Sequence, residues 1–362
     1  MLNRRLQNRG VLLAMAVGDA LGRPIDSRSL DEIRRDYGPS GLMGYDLSGD
    51  YADITSYTQL ATFSANGLLL GLTRGQAQGR PTKLIRFLTA AIREWSRSQG
   101  YHPPQPNICW LSGVPAMRRK FCMDNRMLDA LSKENLGTLE EPKLRSSHPG
   151  GLTSAISLAL LQQDLQLEAD EIDRLAAETA VLTHGEPEAY ITAAALCHML
   201  CMLLKNPETT AQELVNQTAN TVGAQFAQGG RLWENLQFAL VLAGSPHIPA
   251  KNAMENLGCK SASEVLAGAV YAYATCGRDF DTAVITAVNH SGRSSAVGAI
   301  AGAMLGAVLG EEGVPDFYLE SLEAATYLKE LADDMSTGFS EMVNKSLFDM
   351  EWERKYLSAG KM

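Results

Sequence analysis

Apolar side chains recur along this chain at intervals of three and four residues, the spacing that gathers them on one face of an α-helix. Leu266, Ala269, Val270 and Tyr273 fall at i, i+3, i+4 and i+7, and comparable stripes run through 8–21, 59–74, 84–98, 152–164, 187–204 and 317–332. Alternation with a period of two, which would mark a half-buried strand, is nearly absent. The punctuation between stripes is helical as well. Ser261 with Glu264 has the spacing of a capping box, in which each side chain satisfies the other residue's free backbone N–H. Thr183-His184-Gly185-Glu186-Pro187 stops one helix and starts the next, with proline in a first turn where its missing N–H costs nothing. The expected fold class is all-α.

Gly298, Gly302, Gly306 and Gly310 recur every four residues and leave one helix face without side chains. Each interior glycine costs about 1 kcal/mol of helix propensity relative to alanine. The pattern therefore predicts that 296–309 is a buried central helix approached by another almost to backbone contact. Residues 99–150 are the least regular stretch, with Pro103, Pro104, Pro106, Gly113, Pro115 and Pro149-Gly150-Gly151, and are expected to form a long surface excursion. No low-complexity linker or internal repeat divides the chain, so 1–362 is expected to be one domain.

The formal net charge of −9 argues against a nucleic-acid or anionic-membrane partner, and Arg118-Arg119-Lys120 is too short a cluster to reverse that. Six cysteines (109, 122, 197, 201, 259 and 276) scattered through 362 residues read as reduced thiols. Cys197-His198 and Cys201 have a metal-like look, but they sit inside the apolar run Ala193–Leu204 and read as core. The basic, then apolar N-terminus is interrupted by Asp19 and lacks a small-residue cleavage site, so no signal peptide is expected. The apolar, uncharged run from Ser294 to Gly310 falls short of the roughly 20 residues that span a bilayer. A cytoplasmic location is the expectation.

Three polar islands carry the candidate chemistry. In the first, Gly18-Asp19-Ala20-Leu21-Gly22-Arg23-Pro24-Ile25-Asp26, two carboxylates flank the end of a helix. In the second, Asp53-Ile54-Thr55-Ser56-Tyr57-Thr58, small hydroxyl residues precede a helix whose free N–H groups they can cap. The third, Asn289-His290-Ser291-Gly292-Arg293-Ser294-Ser295, is a polar turn feeding the glycine-rich helix. Taken singly, each is explained by capping or a tight turn.

Together, in order and spacing, they resemble the ADP-ribosylglycohydrolase family, which includes the enzyme that reactivates ADP-ribosylated dinitrogenase reductase and the ADP-ribosylarginine hydrolases. The likeness runs through GVLLAMAVGDALGRPID, YGPSG, the turn and helix at 52–70, VLTHGEPEAYITAAAL at 181–196 and DFDTAVITAVNHSGRSSAVGAIAGAMLGAVLGEEGVP at 279–315. It implies a compact orthogonal helical bundle holding two Mg²⁺ ions, which assist hydrolysis of the bond joining ADP-ribose to its acceptor. The family draws its metal ligands from Thr-Asp-Asp-Thr before one helix and Asp-x-Asp-Ser/Thr before another. Here those motifs read Thr55-Ser56-Tyr57-Thr58 and Arg293-Ser294-Ser295-Ala296, and the family's glutamate in the first island falls at Asp26. Mg²⁺ seeks oxygen ligands, carboxylates above all, so no metal site and no cofactor are expected in this chain, although the family uses Mg²⁺. The comparable glycine-rich middle segment is Pro149-Gly150-Gly151-Leu152-Thr153-Ser154-Ala155, while Thr183-His184-Gly185 is intact, with His184 read as a structural helix-end residue.

The expectation is a catalytically silent member that keeps a cleft for ADP-ribose, a related nucleotide or an ADP-ribosylated protein. The cleft residues expected are Thr55, Ser56, Tyr57, Thr58, Asn289, His290, Ser291, Gly292, Arg293 and Ser295. Arg293 is expected to form an internal salt bridge that keeps the old cavity folded, or else to replace the metal's charge by pairing with Asp19, Asp26 or Asp53 or by reaching a phosphate. If it replaces that charge, its loss would cost a few kcal/mol. Two alternatives stand beside it. One is a metal-independent hydrolase with Asp26 or Asp19 as acid/base and Arg293 as charge stabiliser; the other is a purely structural or interaction module.

Overall fold

The computed structural model describes residues 3–47, 49–101, 107–121, 124–337 and 350–358. Its helices are α1 (Arg4–Gly22), α2 (Leu30–Tyr37), α3 (Ser56–Ala77), α4 (Leu84–Ser98), α5 (Asn125–Leu131), α6 (Ser154–Leu160), α7 (Ala169–Val181) and α8 (Pro187–Lys205). They continue with α9 (Ala211–Gln225), α10 (Gly230–Ala243), α11 (Ala250–Leu257), α12 (Ala262–Cys276), α13 (Phe280–Val288) and α14 (Ser294–Leu309). The series ends with α15 (Asp316–Glu320), α16 (Ala325–Ser336) and a last helix at Met350–Tyr356. Among the described residues there is no strand, and one isolated bridge joins Ala52 to Leu322. The fold is all-α.

At the centre α14 lies antiparallel to α1, the most extensive helix pair in the fold. Every residue of α14 from Ser294 to Val308 is buried, and so is α1 from Gly10 to Gly22. The contact is backbone against backbone. A Cβ on Gly298 would stand 2.2 Å from the Gly18 carbonyl oxygen, and one on Gly302 would stand 2.1 Å from that of Ala14. The glycines on α14 are thus met by a second small-residue row on α1, Gly10, Ala14, Gly18 and Gly22, with the same spacing of four. Close approach recovers in dispersion contacts what the glycines lose in propensity. It also brings the C-terminal end of α1 to the N-terminal end of α14, where the Ser295 hydroxyl donates to the Asp19 carbonyl at 3.1 Å.

Two stripes differ from their sequence reading. The one at 317–332 is broken: α15 ends at Glu320, the chain bridges Ala52 at Leu322, and α16 starts at Ala325. The one at 152–164 holds a helix only as far as Leu160. The irregular stretch also does more than cross the surface. Its 3₁₀ turns Trp110–Gly113 and Pro115–Arg118, and α5, bury Leu111, Met117, Met127 and Leu131 in the core, and Ile108 just before them is buried too. By length and composition α8 matches a membrane span, yet it is 67% buried within the fold. Its Cys197 is buried, its His198 meets Asp173 at 2.8 Å, and the five described cysteines are free thiols. Cys122 lies outside the described residues.

Candidate functional site

Asp19, on the last turn of α1, is fully buried and aimed at the start of α3. Its carboxylate accepts from the Thr55 N–H at 2.8 Å, the Thr58 N–H at 3.1 Å and both threonine hydroxyls at 2.6 Å. A helix N-terminus leaves such N–H groups unpaired and carries partial positive charge, so an anion from another helix caps it well. Burial nevertheless pushes the Asp19 carboxyl up to about 6, against those hydrogen bonds. With its folded pKa above the unfolded value, this group's stabilisation is full below about pH 4 and is lost as pH rises through about 6. Oδ2 takes both backbone N–H groups and the Thr58 hydroxyl while Oδ1 takes the Thr55 hydroxyl, and an asparagine has one acceptor atom, so its NH2 would face a threonine hydroxyl that now donates. We expect Asp19→Asn to cost about 2 kcal/mol at pH 5, with the deficit narrowing toward pH 7.5. Urea unfolding at the two pH values checks this, and a deficit that widens contradicts it.

Asp26 follows the 3₁₀ turn Arg23–Ile25 and is half-buried. It accepts from the Ser295 N–H at 3.0 Å and the Ser27 hydroxyl at 3.2 Å, and the Arg293 guanidinium lies 3.8 Å away. Burial raises its pKa, opposed by the Ser295 N–H and by Arg293. Arg293 also donates to the Ser27 hydroxyl at 2.9 Å. Of the three acids considered for Arg293, Asp26 is the one it meets. The oxygens of Asp19 are taken by Thr55 and Thr58, and Asp53 pairs with Arg23 at 3.2 Å and with Arg119. With side chains 32% and 23% exposed, the Arg293–Asp26 pair contributes up to about 1 kcal/mol, less than a fully buried pair.

The rest of the third island holds the turn together. Asn289 accepts from the Leu42 N–H at 2.8 Å and donates to the Leu42 and Ile285 carbonyls. His290, buried and pushed down to about 4 by that burial, accepts from the Gly292 N–H and bonds the Ala287 carbonyl. The Ser291 hydroxyl accepts from the Leu30 N–H, and the Gly292 carbonyl accepts from the Ser27 N–H. Asn289, His290, Ser291 and Gly292, with Asp19 and Thr58, stand behind the cleft wall.

The cleft itself, about 230 Å³, is lined on one side by Asp26, Thr55, Ser56, Tyr57, Arg293 and Ser295. The rest of the lining is Arg23, from the first island, and Lys120, Phe121, Asp124, Met127, His148 and Gly150, from the stretch that lacked periodicity. Arg23 stacks over the Phe121 ring at 4.7 Å. Lys120 makes no ion pair among the described residues. Asp124 caps α5 through the Arg126 and Met127 N–H groups. Burial raises its pKa, but His184, His148 and the Met127 N–H together hold it well below the usual carboxylate range. His148 is pushed down to about 4 by burial and by nearby positive charge. The sequence signal for this side was Arg118-Arg119-Lys120, set aside as too short for a nucleic-acid surface. Nothing in the local pattern joined Asp124 to His148 or His184.

A pair of Mg²⁺ ions, as the resemblance implies, does not suit the donors around Asp26. Ser56 and Tyr57 are neutral, Arg293 brings a cation to the wall, and Asp26 already serves Ser295, Ser27 and Arg293. A hard dication with near-octahedral demands would find one shared carboxylate there.

Known proteins are similar to this chain in sequence or in fold. A protein of Archaeoglobus fulgidus described as uncharacterized is 25% identical over 344 residues, covering 90% of this chain and 94% of its own. A solved structure described as an ADP-ribosylglycohydrolase-related protein complex superposes with a TM-score of 0.63 at 21% identity. It covers 93% of this chain and 99% of its own, a likeness of fold. Residues 3–344 match the sequence profile of ADP-ribosylglycohydrolase. With that match over nearly its whole length and an all-α fold that brings its three polar islands to one cleft, the chain belongs to the ADP-ribosylglycohydrolase family.

Proposed function

We propose that this chain is a binding member of the family that does not hydrolyse, with its cleft taking ADP-ribose or a related nucleotide, free or carried on a protein. The observation that carries the reading is Arg293, whose guanidinium sits 3.8 Å from Asp26 on the cleft wall, at the position of the second motif's first acid. A cation there repels Mg²⁺ and attracts phosphate, which a planar guanidinium holds through two hydrogen bonds. Arg23 and Lys120 add positive charge, and Tyr57 and Phe121 offer aromatic surface to a base or sugar. The charge at the lining favours a diphosphate over a neutral sugar.

The test is thermal unfolding with ADP-ribose, with and without Mg²⁺. Ligand at about 100 times its Kd stabilises by roughly 2.7 kcal/mol, and the melting temperature is expected to rise by several degrees, equally with and without the ion. No shift at millimolar ADP-ribose would leave a structural module as the better reading. Release of ADP-ribose from a modified protein, lost in Asp26→Asn, would establish a hydrolase.

A further inference from the structure

We propose that Asp124, His148 and His184 form a divalent-metal site at the back of the cleft, separate from the wall around Asp26 and suited to Zn²⁺ or a similar borderline ion. One ligand atom from each residue lies within 4.8 Å of the other two. His184 Nε2 is 3.5 Å and His148 Nδ1 is 3.7 Å from the same Asp124 oxygen. Tetrahedral ligands on bonds of 2.0–2.2 Å stand about 3.4 Å apart. Two edges of the triangle are thus already close to what a bound ion needs.

Independent support comes from His184. Its ring is fully buried, and Nε2 points at the Asp124 oxygen 3.5 Å away without a well-aligned hydrogen bond. The opposite nitrogen, Nδ1, lies 2.8 Å from the Thr183 hydroxyl. An Nδ1–H donated to that hydroxyl turns the Nε2 lone pair toward the Asp124 oxygen 3.5 Å away, the arrangement in which an imidazole and a carboxylate hold a cation between them. A hydrogen bond from the far ring nitrogen orients imidazole ligands in metal sites. The glycine run contributes the space. A Cβ on Gly150 would lie 3.1 Å from both His148 Nδ1 and His184 Nε2, so glycine keeps the volume between them open. His148 Nδ1 accepts the Gly150 N–H at 3.1 Å and exchanges that bond for the metal. At 18% exposure on the cleft edge, His148 is the ligand free to move.

Two imidazoles and one carboxylate favour zinc-like ions over Mg²⁺, which takes oxygen ligands. Asp124, His148 and Gly150 line the cleft, so the remaining coordination position opens to its contents. The site does not depend on which nucleotide the cleft binds.

The experiment is calorimetric titration of the EDTA-stripped full chain with Zn²⁺ at neutral pH, with Co²⁺ visible absorption as a report on coordination. The expected result is one equivalent of Zn²⁺ bound with a Kd of about 1 µM or tighter, undisturbed by millimolar Mg²⁺. Binding is expected to weaken at least about tenfold in His148→Ala and about 100-fold in His184→Gln, with the Co²⁺ band lost in the double variant. His148→Ala, at the cleft edge, keeps the test valid if the buried His184→Gln fails to fold. Absence of stoichiometric zinc in the parent, or undiminished binding in folded His148→Ala, overturns the proposal.

Discussion

Gly302→Val is expected to destabilise the protein by about 4 kcal/mol or more, enough to lose most folded material in expression. Inserting side-chain atoms into a packed interior usually costs about 1–3 kcal/mol because neighbouring side chains shift rotamer. Here the obstacle cannot rotate away. The new Cβ would stand 2.1 Å from the carbonyl oxygen of Ala14, and relief requires α1 and α14 to separate along their length. Gly302→Ala meets the same oxygen and is expected to cost about half as much. Gly230→Ala is the control: it also lies in a helix, but its Cβ would meet nothing within 4 Å. That change is expected to be neutral or stabilising by up to about 1 kcal/mol. Denaturant melts of the three variants check the series, and a Gly302→Ala melt matching that of Gly230→Ala would show that the helices part freely.

Hydrolysis of ADP-ribosylated arginine is expected to run at least about 1,000-fold below that of an active relative under the same conditions. Metal ions in such sites activate water and stabilise developing charge by several kcal/mol, and each 1.36 kcal/mol is tenfold in rate. In this chain Asp26 is engaged by Ser295, Ser27 and Arg293, and Ser56 and Tyr57 carry no charge. The variant combining Ser56→Asp, Tyr57→Asp, Arg293→Asp and Ser295→Asp is expected to recover Mg²⁺ binding with little turnover, because the surrounding partners have changed too. Single-turnover release of labelled ADP-ribose and Mg²⁺ calorimetry on parent and variant measure both. Turnover by the parent at a relative's rate would refute the silent reading.

The helices were legible because burial repeats locally. The stripes at 59–74, 84–98 and 187–204 lie within α3, α4 and α8, and Ser261 caps α12 through Glu264 as its spacing suggested. The glycine row on α14 announced a close neighbour but did not say which. The answer was present as Gly10, Ala14, Gly18 and Gly22, and alanine's single methyl hid the match in a search for glycine alone. Half of the cleft was legible as polar islands. The other half, Lys120, Asp124 and His148, sits in short turns without a period, where position is set by tertiary contacts. Asp124 and His184 meet across 60 residues of chain, and no local rule relates them.

The pairing of α1 with α14 also sets a schedule for synthesis. The two partners are separated by nearly the whole described chain, so α1 leaves the ribosome long before the surface that buries it exists. At about 5–20 residues per second the wait is roughly 15–60 s. During that interval Val11, Leu12, Leu13, Met15 and Val17, all fully buried in the finished fold, lack their permanent neighbours. Until the last quarter of the chain arrives, that apolar face of α1 has no counterpart to bury it.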